Sequence, residues 1–590
     1  MLPQQGLMGK VLQTLYLFAI CPESRLYILF KKIETHGNQQ YILYTMKAQL
    51  RLPITIQLLL WSVIALTLLS GCGRRISPAD KGCSTGVLHI GNQIEPQDLD
   101  PHTITGVQES HIVSALLEGL VSPDPVDLHP VPGAAQRWTL SPDGLRYTFY
   151  LRPNGKWSNG DPLTAHDFVF SFKRILSPRL GSEYSYMLFC IKNAEAYNAG
   201  KLKDFSQVGA QAVDDTTLVI TLEKPVPYFL SLIMHNSWYP VHPATILKYG
   251  AIDERGTSWT RPGNFVGNGP FVLSKWILNT VIEVQKNTRY WDAKTVRLNA
   301  IRFYPIDNAL TEERAFRTGQ LHVTTNVPAS KIAWYRIHHP ELLRIDPYLA
   351  TYFYLINVKR PPFDDVRVRR ALSMAIDRES IVKNVLKGGQ LPAYFFTPPN
   401  TQGYTCSTSV IYNPDSARKL LAQAGYSPAH PFPHVKLLYN TSEMHHTLAQ
   451  AVQEMWRKNL HVNIELDNEE WKVYLESKHS GDYDMARMGW TGDYNDPTTF
   501  LDMWVTNGGN NSTGWSSSAY DSFIAKAAGE SNRDKRYASF QQAERVLLDQ
   551  MPIIPMYIYT NLSLVNPSVK GWYSNILGVH PFKYVYLEKQ

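Results

Sequence analysis

Apolar runs alternate with amphipathic stretches in the second half of the chain. Residues 435–439 form an apolar-rich run that is typical of a buried strand. In residues 447–458 the apolar positions recur at helical spacing, and residues 462–466 alternate as a strand does. Residues 470–478 predict a short helix, and residues 483–488 predict a third strand. The order strand, helix, strand, helix, strand predicts a parallel sheet with right-handed crossovers.

Polar residues follow each of these three predicted strands. Asn440 follows the first strand, Asp467 and Asn468 follow the second, and residues 489–493 follow the third. Ligands of open α/β sheets bind beyond the carboxyl ends of the strands. We therefore expect these polar groups and Trp490 to lie at one crevice.

The same reasoning predicts elements elsewhere in the chain. We expect a long amphipathic helix over residues 366–386, ended by Gly388 and Gly389, because paired glycines stop helices. Two further helices are predicted over residues 109–118 and 165–175. Further strands are predicted at residues 87–90, 147–151, 218–222, 281–285 and 301–304.

The string LLSGC at residues 68–72 follows an apolar run that begins after Lys47 and Arg51. A basic region, an apolar region and small residues before a cysteine are the layout of a secretory signal. The string resembles the lipobox of bacterial lipoproteins, which predicts that the mature protein begins at a lipidated Cys72. We expect residues 46–71 to be the signal peptide and residues 72–84 to be a tether.

The first 45 residues do not fit this layout. A signal of this kind begins near the N-terminus, and Met46 is a natural start. We therefore interpret residues 1–45 as an over-called N-terminal extension, which means that the start of the protein was assigned too far upstream and that these residues are not part of the working protein. Two alternatives stay open: an amphipathic leader over residues 1–45, and a plain transmembrane helix in place of the lipoprotein signal. The apolar run is short for a membrane span.

Length and charge narrow the class of protein. The 590-residue chain carries a formal charge of +7, which falls to +3 without residues 1–71. The mature length favours two or three domains. No block of Lys and Arg points to nucleic acid. The chain contains 33 Tyr and 14 Trp residues. Core packing must account for most of them, and the others can line a pocket that accepts varied ligands.

Sequence motifs for catalysis or metal binding are missing. The chain has no H-E-x-x-H, no G-x-S-x-G, no P-loop and no structural-zinc spacing. Cys83, Cys190 and Cys406 leave room for one disulfide and one free thiol, and the spacing does not choose between the pairings. We expect no enzyme activity, no cofactor and no metal.

Longer strings resemble one family. Residues 95–110 read EPQDLDPHTITGVQES, residues 156–175 read KWSNGDPLTAHDFVFSFKRI, and residues 360–379 read RPPFDDVRVRRALSMAIDRE. Residues 439–460 read YNTSEMHHTLAQAVQEMWRKNL, and RMGWTGDYNDPTTFLDMW ends at residue 504. In these strings the chain is similar to the oligopeptide-binding proteins of bacterial ABC peptide importers, which are extracytoplasmic solute-binding proteins of family 5.

The resemblance implies an α/β fold like that of periplasmic binding proteins, with mixed and parallel sheets. Two lobes would close around a hinge, and a third lobe would be an addition. The first lobe would comprise residues 85–118, 244–348 and 562–590. The extra lobe would be residues 119–243, and the other main lobe would be residues 349–561.

The resemblance also implies how a ligand would be held. Asp493, in the string GWTGDY, matches the aspartate that pairs with the α-ammonium of a bound peptide. Trp471 and Trp490 match tryptophans near the ligand. The backbone groups that would bond to the peptide belong to Val107, Tyr184, Gly489 and Thr491.

Cations would bind the carboxylate end of the peptide. Arg487, Lys478 and His445 match such positions, and Asn440 and Asn510 match further polar contacts. Without the resemblance, a lone Asp in a turn would be a cap and a lone Lys or His a solvated surface group.

Two positions differ from the family pattern. Leu355 and Thr105 stand where a well-characterised relative has pocket glutamates, which predicts a pocket that disfavours lysine-rich peptides.

The function implied is that of a monomeric, lipid-anchored receptor for short peptides. It would deliver them to the permease of an ABC transporter, which separate ATPases drive. One alternative on the same fold is a receptor for murein peptides of the cell wall. A nickel or haem carrier is supported only by the paired histidines at 338–339 and 445–446. A secreted hydrolase lacks a nucleophile motif.

Overall fold

The structure is a computed structural model that describes residues 76–427 and 429–589. The predictions for residues 1–45, for the signal at 46–71 and for the lipidation of Cys72 lie outside these residues. Residues 78–84 of the predicted tether are helical and contact the folded body. There the Ala79 N–H donates to the Gly319 carbonyl at 2.9 Å.

The strands of the described residues are numbered in chain order. They are β1 Val87–Gly91, β2 Val121–Pro123, β3 Pro130–Pro132, β4 Ala135–Leu140, β5 Arg146–Leu151, β6 Ala210–Ala212, β7 Thr217–Thr221, β8 Phe271–Ile277, β9 Val281–Lys286, β10 Ala300–Tyr304, β11 Leu343–Ile356, β12 Leu391–Pro392, β13 Lys436–Asn440, β14 Glu465–Glu469, β15 Met485–Thr491, β16 Ile553–Leu564, β17 Val569–Lys570 and β18 Tyr586–Leu587.

The α-helices are numbered in the same way. They are α1 Pro78–Thr85, α2 Val107–Leu116, α3 Ala165–Ile175, α4 Ala194–Asn198, α5 Phe229–Leu232, α6 Pro243–Tyr249, α7 Ala309–Arg317, α8 Ala329–His338, α9 Val366–Met374, α10 Arg378–Ser380, α11 Pro414–Gln423, α12 Glu443–Leu460, α13 Trp471–Ser480, α14 Thr498–Leu501, α15 Ser518–Ala528 and α16 Arg533–Gln550. Single turns of 3-10 helix occur at Ser185–Leu188, Phe205–Gln207, Asn236–Trp238, Ser258–Thr260, Asp502–Trp504 and Phe582–Tyr584, and a π-helix at Ile381–Leu386.

Three larger sheets organise these elements. A mixed sheet has the order β1-β10-β9-β8, an antiparallel sheet has the order β4-β5-β7-β6, and a six-stranded mixed sheet has the order β12-β16-β11-β15-β13-β14. Two pairs of short strands, β2-β3 and β17-β18, complete the list for the described residues. This mixed α/β architecture confirms the predicted fold class. The division into three lobes stays a prediction.

The parallel unit predicted over residues 435–490 is confirmed. Strand β13 pairs in parallel with β14, where Lys436 lies opposite Glu465, and with β15, where Leu437 lies opposite Met485. Helices α12 and α13 form the crossovers. The carboxyl ends of β13, β14 and β15 therefore lie at the same edge of the sheet, as expected from the sequence.

The predicted helix over residues 366–386 is wrong as a single element. Helix α9 ends at Met374, and α10 starts at Arg378 with Asp377 as its cap, whose side chain accepts from the Ser380 N–H. Apolar spacing continues across this break, so periodicity alone cannot show it. The π-helix Ile381–Leu386 ends at Lys387, whose φ of 60° is left-handed. This end lies one residue before the predicted glycine pair.

The hydrophobic core has two large parts. One surrounds the sheets of the first 300 residues, and the other lies on the six-stranded sheet between Leu349 and Tyr557. Cys83, Cys190 and Cys406 are free thiols, so the disulfide that the sequence left open does not form among them. Within the described ranges, no helix is both long enough and apolar enough to span a membrane.

Candidate functional site

Two distant chain segments meet at Asp493, just beyond the end of β15. The Tyr184 hydroxyl donates to Asp493 Oδ1 at 3.4 Å, and His235 Nε2 lies 3.7 Å from the same oxygen. Next to them Tyr228 stacks on Tyr494, with 5.3 Å between the ring centroids. The segment that carries Tyr184, Tyr228 and His235 therefore covers the carboxyl end of β15.

The Asp493 carboxylate is buried and only partly bonded. Its side chain is 10% exposed, and Oδ2 has no hydrogen-bond partner among the described residues. Burial raises the pKa of Asp493 to about 7 and lowers the pKa of His235 to about 3, so His235 is neutral and provides no counter-charge. Asp493 is therefore able to accept a cation through an oxygen that nothing else uses.

Arg487 lies six residues before Asp493 and has the opposite charge. Its Nη1 donates to Asn440 Oδ1 and its Nη2 to the Tyr559 hydroxyl, each at 3.2 Å. Its Nε has no partner, and the guanidinium forms no ion pair with any carboxylate of the described chain. Burial opposes its charge, but the surrounding hydroxyls of Tyr559 and Tyr352 raise its pKa overall. A buried cation of this kind can take an anionic ligand group.

Lys478 and His445 lie near Arg487. Burial lowers the pKa of Lys478, and the charge of Arg487 lowers it further. The charge of Glu183 partly offsets these two effects. Burial and then the charge of Arg487 hold the pKa of His445 well below its usual value. His445 packs against the Tyr352 ring at 5.6 Å, and its Nδ1 has no hydrogen-bond partner in the part of the chain that the structure describes. The structure thus brings together the predicted cationic residues.

Strand β15 has one open edge in its second half. Its residues 485–491 pair with β11 on one side, whereas β13 on the other side lies opposite only Met485 and Ala486. The Tyr474 hydroxyl donates to the Arg487 carbonyl. Because alternate residues of a strand present their backbone groups to the same edge, Gly489 and Thr491 face the open edge as well.

Gly489 keeps the face of β15 beside Arg487 accessible. A Cβ built there would lie 2.9 Å from the Tyr559 hydroxyl and 3.4 Å from Arg487 Nη2. Any larger residue would fill the space beside Arg487 on this face of the sheet, so glycine leaves that space to a ligand.

The remaining predicted residues occupy different positions around the crevice. The Trp490 indole N–H donates to the Thr499 carbonyl at 2.7 Å, and Trp471 stacks on Tyr474 at 5.7 Å. Asn510 slightly offsets the rise that burial causes in the pKa of Tyr186.

Val107 is the first residue of α2 and is exposed. No contact brings it to Asp493. Its helix is linked to the covering segment through a hydrogen bond of 3.3 Å between Ser110 Oγ and Asn236 Oδ1.

Sequence reasoning missed His235, Tyr352 and Tyr559. Tyr352 and Tyr354 alternate along β11, as Tyr557 and Tyr559 do along β16, and this spacing of aromatics was a signal for a ligand-facing sheet surface. His235 belongs to no motif.

The expectation for Leu355 is wrong. Leu355 lies opposite Ala486 and Ile553, is fully buried, and belongs to the core on the six-stranded sheet. Its neighbour Tyr354 lies opposite Arg487, so period-two alternation puts Leu355 on the other face of the sheet. Thr105 is exposed before α2, and nothing places it at the site.

Comparison with known proteins identifies the family. The model of "Bacterial extracellular solute-binding proteins, family 5 Middle" matches residues 129–512. The chain belongs to this family. The matched region of the solute-binding protein includes both Arg487 and Asp493.

Similar proteins span almost the whole described chain. The periplasmic oligopeptide-binding protein OppA of Salmonella typhimurium is 41% identical over 510 residues, which are 84% of this chain and 91% of that protein. The murein tripeptide binding protein MppA of Escherichia coli has a TM-score of 0.80 at 37% identity and covers 85% of this chain and 99% of its own. Haemophilus influenzae OppA in complex with RPPGFSPFR has a TM-score of 0.79 at 36% identity, with 86% and 99% covered.

Proposed function

We propose that this solute-binding protein is a receptor for short peptides, which it holds by their two termini and their backbone. The observation that carries the proposal is the pair of buried, unbalanced charges at the two ends of one open strand edge: the Asp493 carboxylate and the Arg487 guanidinium. An α-ammonium and an α-carboxylate are the two charges that every unmodified peptide shares.

The spacing of the two charges fits a peptide of a few residues. Arg487 and Asp493 are six residues apart, which corresponds to about 20 Å along an extended strand. The two side chains span part of this distance, and an extended peptide of about three to five residues bridges the rest. Its N-terminus would lie at Asp493, so it would run antiparallel to β15.

The open edge of β15 explains how such a receptor accepts varied sequences. Added as a strand, the peptide would bond to the backbone of Gly489 and Thr491, and those bonds do not depend on side chains. Trp471, Trp490 and the tyrosines near Arg487 would form apolar walls for side chains of different size.

The cations at the other end would tolerate different peptide lengths. Arg487 can bind a carboxylate through two parallel hydrogen bonds, whereas Lys478, in the last turn of α13, offers a point charge. His445 would add a contact as a neutral imidazole, through its unpartnered Nδ1.

Delivery to a transporter completes the proposal. Relatives are named as binding proteins of peptides, and the family binds solutes outside the cytoplasm. We infer that the mature protein is anchored by lipid on Cys72 and passes peptides to an ABC permease with separate ATPases. The string LLSGC supports the anchor.

A receptor for murein peptides is the second candidate. The similarity to MppA, with a TM-score of 0.80, favours it. A free α-ammonium would bind Asp493 in either case.

The paired histidines lend no support to a metal carrier. His446 bonds to the Tyr439 hydroxyl while His445 packs on Tyr352, and His338 and His339 both contact the Trp334 ring.

Calorimetry with alanine peptides tests the proposal. Unblocked tri-, tetra- and pentapeptides should bind, and mass spectrometry of the mixture after a day should recover them uncleaved. Measuring a murein tripeptide beside Ala-Ala-Ala separates the two candidate functions. Tighter binding of the murein tripeptide would favour the murein-peptide receptor, and tighter binding of Ala-Ala-Ala would favour the receptor for ordinary short peptides. Hydrolysis of the peptides, or no binding of any, would overturn the receptor function.

A further inference from the structure

Helix α8 exposes two large apolar side chains. Trp334 is 41% exposed and Ile337 is 74% exposed. The opposite face of α8 packs Ile332 and Tyr335 into a small core with Phe316 of α7. Because successive residues of a helix are rotated by about 100°, Ile337 lies near the centre of the exposed face and Trp334 lies beside it. Helix α8 is therefore apolar towards the core and partly apolar on its outer face as well.

Basic residues flank this apolar strip on both sides. Around the helix axis, Lys331 lies about 120° from Ile337 in one direction and Arg336 about 100° in the other. Both are exposed, and α8 contains no acidic residue. In residues 309–345, six Lys, Arg, Asp and Glu side chains are exposed, and five of them are basic: Arg314, Arg317, Lys331, Arg336 and Arg344. Positive charge therefore surrounds the exposed apolar residues.

A cavity of about 350 Å³ lies at the C-terminal end of α8. Its wall combines apolar side chains with two arginines and one carboxylate: Arg336, Pro340, Leu343, Arg344, Ile345 and Asp346. In the described chain, no carboxylate lies within ion-pair distance of Arg336 or Arg344, whereas Arg317 pairs with Glu313 at 3.5 Å. The cavity therefore offers two guanidinium groups to an anionic group such as a phosphate.

The described chain begins beside the helix on which α8 packs. The Tyr335 hydroxyl of α8 donates to Glu313 Oε1 of α7 at 2.8 Å, and α7 ends two residues before Gly319. The Gly319 carbonyl accepts from the Ala79 N–H of α1 at 2.9 Å. Cys72 lies four residues before the first described residue, a span of at most about 14 Å. A lipid on Cys72 would therefore hold this side of the protein close to a membrane surface.

We propose that the exposed face of α8 and the cavity beside it form a docking surface for a membrane that contains anionic lipids. Trp334 and Ile337 would enter the interfacial region of the bilayer, and Lys331, Arg336 and Arg344 would contact lipid phosphates. A lipid surface fits these features better than a protein partner, because two apolar side chains are few for the core of a stable protein interface. The inference rests on the membrane anchor of the proposed function and not on its peptide site.

Hydrogen exchange of the protein extracted from its host membranes and reconstituted into vesicles tests the surface. The vesicles consist of phosphatidylcholine alone or of phosphatidylcholine mixed with phosphatidylglycerol, and mass spectrometry follows the amides of residues 329–340. In the mixed vesicles these amides should exchange at least about fivefold more slowly, because each basic residue at an anionic surface strengthens binding about fivefold. The difference should disappear at about 1 M salt, where screening acts beyond about 3 Å.

A pair of substitutions separates this surface from a general effect of charge. Arg336→Gln combined with Arg344→Gln should abolish the difference between the two kinds of vesicle and leave the affinity for Ala-Ala-Ala unchanged. The matched control is Lys419→Gln combined with Lys526→Gln, which removes the same charge from exposed positions on α11 and α15. The control should keep the slow exchange of the parent.

Three results would overturn the inference. One is equal exchange of α8 in both kinds of vesicle, and another is an equal loss of protection in the control variant. The third is protection of α8 that needs no vesicles and grows with protein concentration, which would indicate a second copy of the chain. In all three cases the protein still sediments with vesicles and binds Ala-Ala-Ala, so the proposed function stands. Protein that sediments with neither kind of vesicle would contradict both the lipid anchor and this inference.

Discussion

Replacing Asp493 by asparagine should weaken ligand binding and stabilise the unliganded protein at the same time. In the complex, a buried ammonium would lose its ionic partner, which typically costs ~3–5 kcal/mol, or at least about a 100-fold loss of affinity. The matched control is Asp482→Asn, whose carboxylate is 79% exposed and pairs with Arg360 at 2.9 Å. Exposed pairs of this kind contribute about 0–1 kcal/mol.

The stability effect follows from the raised pKa. The carboxyl titrates near pH 7 in the fold and near 3.8 in the unfolded chain, so its ionised form destabilises the unliganded protein above pH 7. The shift sets an upper limit of about 4 kcal/mol at pH 8, which disappears as the pH falls from 7 towards 4. Asp493→Asn should therefore melt at a higher temperature than the parent at pH 8, and at the same temperature at pH 4.

Calorimetry with Ala-Ala-Ala and its N-acetyl form, together with thermal unfolding at both pH values, gives the readout. N-acetylation should reduce the affinity of the parent strongly and that of Asp493→Asn little. Below pH 7 the parent's affinity should fall by up to about tenfold per pH unit, since Asp493 must lose a proton to bind the ammonium. Equal binding of free and acetylated peptide by the parent would refute the assignment of Asp493 as the anchor.

Three further variants test other parts of the account. Arg487→Gln should lower the affinity for free-acid tetrapeptides at least about tenfold and that for C-terminal amides little, as calorimetry can show; equal losses would contradict a role in carboxylate binding. Leu355→Glu should lower the melting temperature by several degrees, because it buries an unpaired carboxylate in the core. It should not change the relative affinities for Ala-Lys-Ala, Ala-Leu-Ala and Ala-Glu-Ala; a gain in affinity for Ala-Lys-Ala over the other two peptides would place position 355 at the ligand instead. Cys72→Ala should remove the acyl mass from protein extracted from membranes of its native host, and an unchanged intact mass would exclude lipidation at this residue.

The sequence predicted the parallel unit well because local pattern determines it. Apolar strands, amphipathic helices and short connections alternate there within about 55 residues, and each element agrees with its neighbours. Once β13 and β15 are parallel, Asn440 and the residues after 488 must lie at one edge of the sheet. The crevice was therefore predictable from pattern and topology alone.

The covering segment of the site was not predictable in this way. His235 and Asp493 are more than 250 residues apart in the chain, and no spacing or motif links them.

The error at Leu355 has a related cause. Adjacent residues of a strand point to opposite faces, and resemblance without a known register does not fix which face is which. The break between α9 and α10 likewise depends on the Asp377 cap and not on hydrophobic periodicity.

Native mass spectrometry of the protein purified from its host without unfolding shows directly whether the protein binds short peptides. We expect complexes whose added mass is that of peptides of about three to five residues, and sequencing of the eluted peptides should show free N-termini and free carboxylates. Protein that carries no peptide, and that takes up none from an equimolar mixture of unblocked tri- to pentapeptides, would contradict this expectation.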